Sequence, residues 1–227
     1  MRPFLILFLM LVIFGCGKDS PPKEPESALL VFPLKNSECT TGEETNLINT
    51  SLVEFRWSAA NHADSYELRA TNLQTNTTQT INVAATAAKL PLMKGAPYSY
   101  SVITRNASTT ASVSSETWLF YNAGFQTNYP PFPAAALAPT SGATVAKDIN
   151  NEVLLNWEGA DVENDITEYE VYFSESNPPE TLVGSTTATN SQLRVSVAAQ
   201  TSYYWRIVSK DAVGNTSNSG VFVFKVL

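Results

Sequence analysis

Three carboxylates at alternate positions, Asp161, Glu163 and Asp165, form the densest cluster of ligand chemistry in the chain. An oxygen-rich loop of this kind can hold Ca²⁺, a hard cation that takes six to eight oxygen donors, with Asp211 from a neighbouring loop as a candidate fourth donor. The three residues are therefore the candidate metal ligands, set against the alternative of a solvated acidic loop. An EF-hand is excluded, because its sixth and twelfth positions would be Ile166 and Tyr172 where Gly and Glu are needed. The same carboxylates sit on one loop with no facing partner, which gives no support to a glycosidase pair. His62 is the sole histidine, and the sequence carries no GxSxG elbow, HExxH helix, Cys and His pair or phosphate-cradling glycine loop. No enzyme is expected, and no resident cofactor beyond the possible Ca²⁺.

Cys16 carries the other chemistry. Met1-Arg2 precedes an apolar run from Phe4 to Phe14 and then Gly15-Cys16. The run is too short for the roughly 20 residues that cross a bilayer core, and Ile13-Phe14-Gly15-Cys16 resembles a bacterial lipobox. That resemblance implies a signal peptide over 1–15 and a mature chain starting at a lipidated Cys16, anchored in a membrane. Residues 16–27 include Pro21, Pro22 and Pro25 and read as an extended tether. Lys18-Asp19 resembles the export signal of Bacteroidetes surface lipoproteins, which implies an outer-membrane protein facing out of the cell. Cys39 is then left without a partner, so no intramolecular disulfide is expected.

The 227 residues carry 14 Lys and Arg against 21 Asp and Glu, a net charge of −7. Such an acidic chain is not expected to bind nucleic acid, whose phosphates demand a basic patch.

Internal repetition identifies the elements that position these groups. Val53-Glu54-Phe55-Arg56-Trp57 recurs as Val153-Leu154-Leu155-Asn156-Trp157, Tyr66-Glu67-Leu68 as Tyr169-Glu170-Val171, and Tyr98-Ser99-Tyr100-Ser101-Val102 as Tyr203-Tyr204-Trp205-Arg206-Ile207. The drifting offset keeps strands while loops change length, so the chain is a tandem duplication. Val53, Phe55 and Trp57 alternate with charged residues, the period of a half-buried strand. Short strands separated by Asn, Gly, Ser, Thr and Pro clusters predict an all-β fold.

The Trp, Tyr-x-Val/Leu and Tyr-x-aromatic-x-aliphatic strands resemble the fibronectin type III domain. The resemblance implies two tandem immunoglobulin-like β-sandwiches, over 28–124 and 134–227, with a linker over 125–133. It also implies a tyrosine corner at Tyr98 and Tyr203, each six residues after an aliphatic residue, Leu92 and Val197. Tyr121, Phe125, Tyr129 and Phe132 crowd the junction among Pro130, Pro131 and Pro133. They are expected to pack between the domains, or else to stack against a glycan. The resulting expectation is a non-catalytic binding or adhesion module at the cell surface with an unnamed protein or glycan ligand, or a spacer in an envelope assembly. The loops Arg105 to Ser115 and Lys210 to Asn218 are its candidate contact surfaces.

Overall fold

The computed structural model describes residues 22–47, 49–124 and 128–227. Cys16, the signal segment and Phe125 lie outside the described residues.

Alternation of buried and exposed side chains builds the first sandwich. Its strands are β1 (Leu30–Phe32), β2 (Ser37–Cys39), β3 (Glu43–Glu44), β4 (Thr50–Trp57), β5 (Ser65–Asn72), β6 (Thr77–Val83), β7 (Ala87–Met93), β8 (Ala96–Arg105), β9 (Ser112–Ser114) and β10 (Trp118–Asn122). One sheet centres on β4, which pairs with β1, β3 and β7; the other runs β2-β10-β8-β5-β6, with β9 on β8. Val53, Phe55 and Trp57 face inward from β4 and meet Tyr98, Tyr100 and Val102 from β8, all buried. Phe55 packs edge-on to Tyr100 and Phe120, with ring centroids 5.0 and 5.8 Å apart, the geometry that sets a ring's positive edge on a negative face.

The second sandwich repeats the plan. It comprises β11 (Phe132–Ala138), β12 (Ala143–Val145), β13 (Glu152–Ala160), β14 (Ile166–Ser174), β15 (Leu182–Thr187), β16 (Gln192–Ser196), β17 (Ser202–Asp211), β18 (Thr216–Asn218) and β19 (Phe222–Val226). Its sheets run β11-β13-β16 and β12-β19-β17-β14-β15, with β18 on β17. In both units the strand after the first turn pairs in parallel with the last strand, β2 with β10 and β12 with β19. The repeated three-strand core, β1-β4-β7 in the first unit and β11-β13-β16 in the second, set against a larger sheet is the immunoglobulin-like sandwich that the resemblance to fibronectin type III domains implies, and the chain is all-β as its alternation predicts. Among the described residues there is no helix.

The corners form as expected. The Tyr98 hydroxyl accepts from the Met93 amide at 2.9 Å and the Tyr203 hydroxyl from the Ala198 amide at 3.0 Å. Strand β11 opens at Phe132, two residues before the expected boundary at 134, so Phe132 and Pro133 belong to the second sandwich.

Gly159 marks a close approach. A Cβ there would lie 2.7 Å from both Cε1 and Cζ of the buried Tyr169 ring. Because that ring packs edge-on to Trp157, Gly159→Ala is expected to cost about 1–2 kcal/mol by overpacking, read as a lower midpoint in urea with an unchanged slope.

Candidate functional site at the domain junction

The two poles of each sandwich have different fates. At the outer pole of the first unit, the Glu26 amide donates to the Asn61 carbonyl at 2.9 Å, the Thr104 hydroxyl to the Glu26 carbonyl at 2.7 Å, and the Asn106 side-chain amide to the Lys23 carbonyl at 3.3 Å. Pro25 is buried there. Residues 23–27, expected as part of a tether, are therefore docked on the first sandwich, because their backbone groups find partners in its loops. The loop Arg105 to Ser115 stands at this pole beside the incoming chain.

His62 occupies the left-handed region at φ 58°, as Asn164 does at the corresponding turn of the second unit. Its carbonyl accepts from the Asn106 side chain at 2.7 Å. Cys39 is 2% exposed, and burial pushes its thiol pKa up; a reactive cysteine needs the opposite shift and access to solvent.

The opposite pole meets the second sandwich. Tyr121, Tyr129 and Phe132 are 2%, 2% and 0% exposed and form a core of their own, with ring centroids 4.5 Å (Tyr121 to Tyr129) and 5.0 Å (Tyr121 to Phe132) apart. Leu73 and Leu119 of the first unit and Ala160 and Val162 of the second pack against it. Polar links fasten its margins. The Tyr121 hydroxyl donates to the Pro130 carbonyl at 2.9 Å and the Tyr129 hydroxyl to Glu38 at 2.6 Å. Across the second unit, the Asn215 side chain donates to Asn128 at 2.5 Å and the Ser217 hydroxyl to the Phe132 carbonyl at 3.2 Å. Burial first, and then the bond to Glu38, push the Tyr129 phenol up to about 12. The described aromatics of the junction thus spend their faces on one another, and no ring among them is presented for stacking on a sugar.

The acidic loop lies against this core. Asp161 is 2% exposed, and its Oδ2 accepts from the amides of Glu163 at 3.0 Å and Asp165 at 3.4 Å, closing the turn. Burial raises the pKa of the Glu163 carboxyl, against the opposing pull of its own backbone amide and that of Tyr129. Asp165 turns its Oδ1 inward, where it and Oδ1 of Asp161 are both buried without a hydrogen-bond partner. Asp211 is spent elsewhere: its Oδ1 accepts from the amides of Val213 and Asn215 at 3.0 and 2.7 Å and its Oδ2 from the Asn215 side chain at 2.7 Å. Asn106 fills the same place in the first unit, accepting from the Ser108 amide at 2.7 Å, so the position is a turn-closing one.

The expected set Asp161, Glu163, Asp165 and Asp211 is therefore divided among four tasks. Among the described residues no group of three or more His, Cys, Asp or Glu is arranged to hold a metal ion. What remains is a close carboxylate pair, Asp161 and Asp165. Burial, followed by the facing Asp165 and the charge of Glu163, raises the Asp161 pKa to about 6. The loop Lys210 to Asn218, expected as an open contact surface, is likewise held against the junction through Asn215 and Ser217.

No family model and no curated protein matches this sequence. Among solved structures, the fibronectin(III)-like modules of Clostridium thermocellum CbhA align over 88% of this chain and 93% of theirs, at 11% identity and a TM-score of 0.35. A two-domain fibronectin type-III segment of chicken tenascin aligns over 88% and 99%, at 13% identity and 0.28. The FN1–FN3 domains of chicken CNTN1 align over 83% and 67%, at 11% and 0.31. At these identities and scores the likenesses bear on neither ligand nor activity.

Proposed function

We propose that the chain is a non-catalytic, lipid-anchored module of the cell envelope that holds two stiffly joined sandwiches outward from an outer membrane and offers them to a partner at the cell surface. The observation that carries this reading is the core of Tyr121, Tyr129 and Phe132, which joins the sandwiches end to end. A binding surface spread over two domains keeps its shape only if the domains do not swing, and a buried aromatic junction meets that need. The docked segment from Lys23 supports it further. Each residue fixed on the sandwich is one fewer to span the distance to a lipid on Cys16, so the first sandwich stands nearer the membrane than a free tether over 16–27 would hold it.

Fractionation and shaving test the reading together. Cys16→Ala is expected to move the protein out of the detergent-extracted membrane fraction, and protease added to intact cells is expected to digest the wild-type chain while a periplasmic control survives. Unchanged membrane partitioning of the variant removes the anchor. Protection from protease turns the reading to a support inside the periplasm.

A further inference from the structure

We propose that the cleft between the two sandwiches binds a short acidic peptide segment, with Arg206 receiving its carboxylate. The cleft encloses about 600 Å³, inside the range of roughly 300–1,000 Å³ usual for ligand sites. Leu73 and Asn76 wall it from the first sandwich; Pro178, Pro179, Arg206 and Val221 wall it from the second.

Arg206 stands apart from the other arginines. Arg56 pairs with Glu54, Arg69 and Arg105 both pair with Glu67, and Arg194 pairs with Asp148. Among the described residues Arg206 is the one arginine without a carboxylate within 4.0 Å. Yet it is held in place. Its guanidinium carbon lies 3.7 Å from the centroid of the Tyr172 ring, and its Nε donates to the Pro179 carbonyl at 3.1 Å. A planar fork fixed by stacking and one hydrogen bond is pre-organised for a carboxylate and loses little freedom on binding one. On a chain of net charge −7, an unpaired cation lining this cleft is the complement of an anion.

The remaining walls choose the kind of anion. The guanidinium covers the Tyr172 face, so no bare aromatic platform is left for a sugar ring. Proline, leucine and valine side chains instead suit the apolar side chains of a peptide. Gly220, at φ 79° on the same wall, has open space where a Cβ would stand, which lets a backbone come near. Glu180 on the rim opposes an anion and sets a limit on affinity. The corresponding position of the first unit is Ser101, so the site exists once per chain. The proposal rests on the reading of the chain as a binding module and names its partner class.

The test is calorimetric titration of the full chain in detergent with acetylated, amidated Leu-Asp-Leu-Asp, beside its Leu-Asn-Leu-Asn analogue and tetragalacturonate. The acidic peptide is expected to bind with a Kd on the order of 0.1 mM, and the Asn analogue at least about tenfold more weakly. Arg206→Gln weakens the acidic peptide by about tenfold or more and Arg206→Lys less, with the melting temperature of each variant close to wild type; Glu180→Gln tightens binding by a few-fold. An acidic peptide that fails to bind at about 5 mM, binds no better than its Asn analogue, or is indifferent to Arg206→Gln overturns the proposal, as does binding of tetragalacturonate alone. Membrane partitioning and protease shaving do not depend on Arg206, so failure here leaves the display reading to its own test.

Discussion

Phe132→Ala is expected to split a single unfolding transition into two and to remove about 3–4 kcal/mol, the cost of deleting a fully buried ring. Phe132 is 0% exposed, and its core is separate from those of the two sandwiches. Truncation therefore leaves each sandwich its own interior and removes what couples them. The wild-type chain is expected to unfold in one cooperative step, because opening either unit exposes the shared rings of Tyr121 and Tyr129. In the variant the units melt independently, and small-angle scattering records a broadened distribution of particle lengths. Phe132→Leu, which keeps much of the volume, should fall between. One unbroken transition with unchanged scattering in Phe132→Ala would show that the junction core does not join the units.

Asp161→Asn is expected to stabilise the second sandwich at pH 7.5 and to leave it unchanged at pH 4. The Asp161 carboxyl is held at about 6 in the folded chain against an ordinary 3.8, which corresponds to about 2 kcal/mol once screening at the loop is allowed for. The sign follows from the raised value. Folding favours the protonated acid, so this stability is fully present below pH 3.8 and is lost as the pH rises through about 6. An asparagine keeps an oxygen for the amides of Glu163 and Asp165 and brings an N–H₂ to the unpartnered oxygen of Asp165. The melting temperature at pH 7.5 should rise by about 4 °C. Ca²⁺ at about 1 mM, the weak end of extracellular sites, is expected to leave wild type unmoved. A rise with Ca²⁺ that Asp161→Asn abolishes would restore the loop as a metal site, and a variant less stable than wild type at pH 7.5 would refute the buried-charge account.

Much of the fold was legible because alternation is local. Val53, Phe55 and Trp57 state which face of β4 is buried without reference to anything distant, and their recurrence at Val153, Leu155 and Trp157 states that the unit is used twice. The corners at Tyr98 and Tyr203 were legible for the same reason, since each hydroxyl meets an amide five residues upstream. The candidate site was legible only as a composition. Asp161, Glu163, Asp165 and Asp211 look alike in sequence, yet one closes its turn, one lies against the linker, one faces its neighbour and one closes a different loop. Glu38 gave no signal at all, because its partner Tyr129 stands 91 residues away. The docked segment from Lys23 was hidden too, since its anchoring bonds run mainly through backbone groups that every residue carries. Arg206 did leave a trace as the departure from Ser101 at a repeated position, but its partners, the Tyr172 ring and the Pro179 carbonyl, stand 34 and 27 residues away, beyond any local period.

The sequence by itself determined the secondary structure, the duplication and the resemblance to a lipid-anchored precursor, because each depends on residue types at short and regular spacing. The tertiary structure alone decided that the acidic loop and the loop of Asn215 face inward at the junction, that the junction aromatics are buried, and that an unpaired arginine lines the cleft. Those outcomes depend on which pole of one sandwich is set against the other. That contact is made by loops whose side chains meet across the gap between domains, where no local period connects them.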